Sequence, residues 1–238
     1  MYFKPVLIFL FVQTFCTAQR FADQLPQVKR YEQKEIYDSI EGITIFNKLI
    51  EPLGGDSVKY NKAGYNAQGW YEELYLNGKV LHKGYYVEGR LKVFKNYFEN
   101  GQLERSFINP DPLHCSVDIY YENGLPKRKV AYYDKKPQKF YEYYNNGLPK
   151  LAIENEKEMK FITLKKSWYE NGQLESTFEL KDKKELIFVQ RSFYNNGQVK
   201  EEGNMKLSAD GKSYLKDGDW TFYDESGKNK KTEKFKMQ

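Results

Sequence analysis

Two histidines and two cysteines carry all the imidazole and thiol chemistry in this chain: His82, His114, Cys16 and Cys115. A nucleophilic pair needs a thiol and a base within hydrogen-bond reach of each other. His114-Cys115, following Asn109-Pro110-Asp111-Pro112, is the one adjacent pair. Neighbours along a strand project to opposite faces, so adjacency in sequence counts against this dyad. Neither histidine belongs to a His-x-x-x-His or Cys-x-x-Cys spacing of the kind that holds a metal. The chain also lacks a Gly-x-Gly-x-x-Gly or Walker-type phosphate loop. No catalytic, cofactor-binding or metal-ligating set is therefore assigned, and the expectation is a protein that is not an enzyme. An envelope enzyme using His114 and Cys115 is the remaining alternative.

The residues with another kind of chemistry are aromatic. Phe, Trp and Tyr make up 17% of the chain, and they fall in a repeated string. Trp168-Tyr169-Glu170-Asn171-Gly172-Gln173-Leu174-Glu175 recurs as Tyr97-Phe98-Glu99-Asn100-Gly101-Gln102-Leu103-Glu104 and in four further variants. The repeated glycines are Gly78, Gly101, Gly124, Gly147, Gly172 and Gly197, at steps of 23, 23, 23, 25 and 25 residues. Phe222-Tyr223-Asp224-Glu225-Ser226-Gly227 closes the series as a degenerate copy. Self-similarity at this period is the mark of a repeat architecture.

Each copy reads as strand, turn, strand. Asn-Gly flanked by alternating apolar residues is the strongest short-range hairpin signal, and a two-residue type I′ turn is its usual form. Counting from each Gly as zero, such a turn pairs −2 with +1, −3 with +2 and −7 with +6. Position −3 is aromatic in all six copies: Tyr75, Phe98, Tyr121, Tyr144, Tyr169 and Tyr194. Its expected partner at +2 is Val80, Leu103, Pro126, Pro149, Leu174 or Val199. Directly paired residues share a face, so −3, +2 and +6 are assigned to the core. Lys79, Gln102, Gln173 and Gln198 at +1, with Glu104, Lys127, Lys150, Glu175 and Lys200 at +3, are assigned to the solvent face.

Position −4 interrupts that polar face with Leu74, Tyr97, Tyr120, Tyr143, Trp168 and Phe193. Two readings stay open. The ladder holds neighbouring repeats together, with Lys stems covering the rings. Alternatively it is an extended binding platform, because contiguous exposed apolar patches mark interaction sites. The candidate binding residues are Tyr97, Tyr120, Tyr143, Trp168 and Phe193.

Residues 1–18 have the form of a secretory signal peptide: Lys4, an apolar run from Val6 to Val12, and Cys16-Thr17-Ala18 as a small-x-small cleavage site. That run is too short to span a bilayer, so no transmembrane segment is expected after cleavage. The protein is thus expected to be exported, whether periplasmic, cell-surface or secreted. Phe15 before Cys16 fits a lipoprotein signal poorly. Residues 19–60 form an N-terminal arm with a short capping helix, since Ile36, Ile40, Ile43, Phe46 and Ile50 recur at helical steps. Residues 61–238 form the repeat domain. Charge is +5 and spread along the chain, without a basic block to suggest nucleic-acid binding.

The aromatic-aromatic-x-Asn-Gly-x-Leu copies and Gly218-Asp219-Trp220-Thr221-Phe222-Tyr223 resemble MORN-type repeats, in the variant of the bacterial YwqK-like family. Gly69-Trp70-Tyr71-Glu72-Glu73-Leu74-Tyr75 is similar with one residue more. The resemblance implies a mainly β chain, an elongated antiparallel meander of β-hairpins forming a solenoid-like sheet. It also implies a module that binds a protein or a membrane, and such proteins are described as antitoxin components of toxin–antitoxin systems. The partners to expect are a protein, a toxin among the candidates, or an envelope polymer. Pro126 and Pro149 at +2, and the missing Gly-x-Trp in the middle copies, depart from the usual pattern.

Overall fold

The computed structural model describes residues 30–31, 37–38, 43–44, 58–61 and 63–236. Three short strands come first: β1 (Arg30–Tyr31), β2 (Tyr37–Asp38) and β3 (Ile43–Thr44). The regular hairpins begin with β4 (Gly69–Tyr75) and β5 (Val80–Val87), then β6 (Arg90–Tyr97) and β7 (Leu103–Ile108). They continue with β8 (His114–Tyr120) and β9 (Pro126–Tyr133), then β10 (Lys136–Tyr143) and β11 (Pro149–Asn155). The last six strands are β12 (Ile162–Trp168), β13 (Leu174–Asp182), β14 (Ile187–Phe193), β15 (Val199–Leu207), β16 (Tyr214–Tyr223) and β17 (Lys230–Phe235). From β4 to β17 every strand pairs with its neighbours in chain order, giving a single open antiparallel meander. β1 is added in parallel at the β4 edge, with Arg30 opposite Leu74.

The expected signal peptide and most of the expected capping helix lie outside the described residues. Within the helix span, the described backbone is extended instead: Tyr37 pairs with Thr44 and Asp38 with Ile43. The β-branched Ile43 and Thr44 favour that conformation over helix.

All six Asn-Gly turns lie along one edge of the sheet, and they are not the expected two-residue loops. In each, the Gly N–H donates to the carbonyl at −3, at 2.8–2.9 Å, and the −3 N–H donates to the +1 carbonyl. Among these loop residues only the glycine has positive φ, between 84° and 91°. That is a type I turn followed by a left-handed glycine, a three-residue loop in which Gly supplies the conformation Asn does not adopt. Two-residue turns with positive φ at both positions occur on the opposite edge, at Glu88-Gly89 and Asp134-Lys135.

The extra loop residue shifts the register, and a β-bulge shifts it back. Near the loop −4 pairs with +2, as in Tyr97 with Leu103 and Trp168 with Leu174. Beyond the bulge −5 pairs with +4 and −7 with +6, as in Asn96 with Arg105 and Phe94 with Phe107. The bulged residue is +3 in every copy from β4–β5 to β14–β15. The −7/+6 pairing expected for a two-residue turn therefore holds, while the expected −3/+2 pairing is replaced by −4/+2. One residue added in the loop and one in the opposing strand cancel.

Alternation then separates two faces. Positions −7, −5, +4 and +6 share the first face, which holds the core. Phe94 and Phe107 stack there at 5.1 Å, with Cys115, Val117, Tyr132 and Leu91 packed around them. Further along the same face, Phe178 and Phe188 stack at 4.8 Å and Tyr214 meets both edge-on. The Tyr214 hydroxyl accepts a hydrogen bond from the Ile162 N–H at 2.8 Å. β12 and β16 are four strands apart, about 19 Å on a flat sheet, so their ends are drawn together over this face and it is concave there. At the C-terminal end Trp220 is fully buried, with Lys216 Nζ 3.9 Å above its ring. Its neighbour Gly203 has no side chain, and a Cβ there would meet the indole at 2.4 Å.

Candidate functional site

The five ladder residues sit at the −4 position of successive hairpins, on β6, β8, β10, β12 and β14. The bulge changes their surroundings from the expected ones. Each −4 residue is directly opposite the +2 residue of its own hairpin: Tyr97 with Leu103, Tyr120 with Pro126, Tyr143 with Pro149, Trp168 with Leu174 and Phe193 with Val199. Paired residues share a face, so +2 joins the ladder rather than the core.

Four of the +3 residues expected to make that face polar turn away from it, while Lys79, Gln102, Gln173 and Gln198 at +1, and Glu175, stay exposed. At +3, Glu104 is fully buried. Lys127, Lys150 and Lys200 place their ammonium groups 5.9, 5.9 and 5.8 Å from the −3 rings Tyr121, Tyr144 and Tyr194. Lys150 also pairs with Glu142, a −5 residue of the core face, at 3.5 Å. The solvent-face assignment of +3 is thereby corrected: a bulge places two consecutive residues on one side of the sheet. What remains opposite the core near the turn edge is a stripe of aromatic and aliphatic pairs.

Every ring of the stripe is half-buried. Successive rungs are two strands apart, about 9.6 Å, too far for ring stacking from one rung to the next. The stripe is held by the turn edge instead. Each −3 tyrosine hydroxyl donates to the −4 carbonyl of the following hairpin: Tyr75 to Tyr97 at 2.7 Å, Tyr121 to Tyr143 at 2.8 Å, Tyr144 to Trp168 at 2.7 Å, and Tyr169 to Phe193 at 2.8 Å. Tyr194 donates to Tyr223 in the last hairpin at 2.9 Å. The aromatic at −3 thus fixes the backbone from which the next aromatic at −4 projects. Phe98 is the exception, having no hydroxyl to give.

His114 and Cys115 are not brought together. Cys115 packs into the Phe94–Phe107 cluster, and burial raises its thiol pKa to about 11. His114 is exposed, its Nδ1 3.0 Å from the Asp111 carboxylate and its ring against Tyr133. Among the described residues there is no group of three or more His, Cys, Asp or Glu side chains placed to hold a metal ion. No helix among them is long and apolar enough to cross a membrane.

One polar group of the core face escaped sequence reasoning. His82 is fully buried and its Nδ1 donates to Asn96 Oδ1 at 2.8 Å. Burial lowers its pKa to about 3, so the ring is neutral. Glu73, paired with Lys59 at 3.0 Å, and Glu104 lie in the same region. The −5 and +4 positions carry no fixed residue type along the chain, so their shared row on the core face gives no repeating signal in the sequence.

Comparison with known families finds the same unit. Residues 164–182, 189–207 and 216–237 match the MORN repeat variant. The three matches fall one to a hairpin, on β12–β13, β14–β15 and β16–β17, so a MORN variant repeat corresponds here to two strands and the turn between them. The earlier hairpins carry the same turn hydrogen bonds and bulge as the matched β12–β13 and β14–β15. No curated protein matches the chain.

Proposed function

We propose that this protein is a non-catalytic, exported repeat scaffold that binds a protein or cell-envelope partner along its sheet. The observation that carries the reading is the −4/+2 stripe. Five aromatics and their apolar partners run along one side of the sheet, and Glu104, Lys127, Lys150 and Lys200, first assigned beside them, turn to the other side. Half-exposed Tyr and Trp combine large contact area with little side-chain entropy to lose, which is why they recur at binding hot spots. Export is supported by the charged start, apolar run and small-x-small site of residues 1–18. The resemblance to MORN-type repeats supports an interaction or membrane-association module rather than an enzyme. Separation of His114 from Cys115 supports the same conclusion.

The narrower reading, an antitoxin or immunity-like inhibitor of one partner toxin, rests on the YwqK-like resemblance. Crosslinking and affinity capture from the native envelope fraction, with and without Tyr120→Ala and Tyr143→Ala, tests both. The stripe reading expects the double variant to keep its fold and lose the captured partner. Undiminished capture by a folded double variant refutes it. A captured partner that is toxic when expressed alone and silenced by this chain selects the antitoxin reading.

A further inference from the structure

Six Asn-Gly dipeptides in one chain are a chemical liability as well as a turn signal. In a free chain the Gly backbone nitrogen attacks the preceding Asn Cγ and gives up its proton. The new C–N bond closes a succinimide, the Cγ–Nδ2 bond breaks and ammonia leaves. Water then opens the ring to aspartate or isoaspartate. Nucleophile and leaving group are both occupied in the folded protein, and the Asn Oδ1 contact fixes the side chain between them. The nucleophile, Gly N–H, donates to the −3 carbonyl at 2.8–2.9 Å in all six turns. The Asn Oδ1 accepts from the +1 N–H at 2.8–3.0 Å. The leaving amide nitrogen, Nδ2, donates to the turn of the next hairpin at 2.7–3.3 Å. In a type I turn the Asn ψ is near 0°, which also holds the Gly nitrogen out of the plane that ring closure requires.

We propose that the six Asn-Gly turns are spontaneous deamidation sites held shut by the stacking of neighbouring hairpins, and that Asn196, next to the C-terminal end of the sheet, converts faster than the central Asn123 and Asn146. Direction follows from the array. Each hairpin is stabilised by its neighbours, so an end hairpin opens more readily than a central one. Among the described residues β17 pairs only with β16, and Asn196 donates to Glu225 O in the turn of that last hairpin. Asn123 and Asn146 lie between hairpins that are paired on both sides. At Asn77 and Asn100 the product carboxylate replaces a donor to Glu99 and Glu122 with a like charge, which removes the hydrogen bond between the two turns.

The test is peptide mass mapping of the whole chain after ageing in mildly alkaline buffer, folded and in urea. Modification of a transiently opened state tracks the population of that state. The expected result is conversion at Asn123 and Asn146 at least about tenfold slower in the folded protein than in urea, with Asn196 faster than either in the folded protein. In urea the six sites should converge. Equal folded and unfolded rates at Asn123 and Asn146, or a folded Asn196 no faster than they are, would overturn the proposal. Glu99→Ala isolates the lock, because Glu99 is an exposed turn residue. It should accelerate Asn77 several-fold and leave Asn146 unchanged, and an unaltered Asn77 rate would show that the inter-hairpin hydrogen bond does not hold the site.

Discussion

Phe98 offers a test of the hydroxyl ladder in which a gain, not a loss, is expected. Five of the six −3 aromatics are tyrosines whose hydroxyls reach the −4 carbonyl of the next hairpin at 2.7–2.9 Å. Phe98 closes the same three-residue loop as its counterparts, with its N–H on Gln102 O at 2.8 Å and its own carbonyl accepting from Gly101. Phe98→Tyr should therefore place a hydroxyl against the Tyr120 carbonyl with no change of backbone. A net intramolecular hydrogen bond contributes about 0.5–1.5 kcal/mol, and about 1 kcal/mol moves the midpoint of a chain this size by about 2–4 °C. The reverse change, Tyr144→Phe, leaves the Trp168 carbonyl short of a donor and should lower stability by a similar amount. Equilibrium urea unfolding followed by far-UV circular dichroism reads both, as midpoint shifts of opposite sign at constant slope. The two sites lie in different hairpins, so the double variant should return close to the parent. A Phe98→Tyr protein no more stable than the parent, while Tyr144→Phe is destabilised, would show that Phe98 sits outside the geometry of the other five. No shift in either would remove the ladder as a source of stability.

Gly203→Ala would put a methyl group 2.4 Å from the buried Trp220 ring. Overpacking of this kind costs about 1–3 kcal/mol, read as an early thermal transition and altered Trp fluorescence; parent-like behaviour in both would mean the indole is free to move. His82 predicts an acid limb. Its folded pKa of about 3 lies below the ordinary 6.5 because burial disfavours the cation, so its stabilisation is complete above pH 6.5 and is lost as pH falls towards 3. The slope from this group is at most about 1.4 kcal/mol per pH unit. His82→Gln should flatten the acid limb relative to the parent, and parallel pH profiles would refute a buried neutral imidazole.

The sequence by itself determined the repeat, its hairpin unit, the strand alternation and the place of the aromatic ladder opposite the core. These are local properties: an Asn-Gly turn is encoded in a few residues, and period-2 patterning names a face without reference to neighbours. It also placed −7 opposite +6 correctly, although the turn it assumed was one residue too short. Tertiary structure decided what local patterning could not. A bulge at +3 absorbs the longer loop, sends Glu104 and the Lys127, Lys150 and Lys200 stems to the core face, and leaves −4 and +2 together. A two-residue loop without a bulge and a three-residue loop with one give the same register a few residues away, so the alternation along the strands fits both. The curl that joins Tyr214 to Ile162, and the burial of His82 beside Asn96, depend on strands far apart in sequence or on a register set elsewhere. The residues closest to the turns, where the candidate binding stripe lies, were therefore the ones whose neighbours only the folded sheet could reveal.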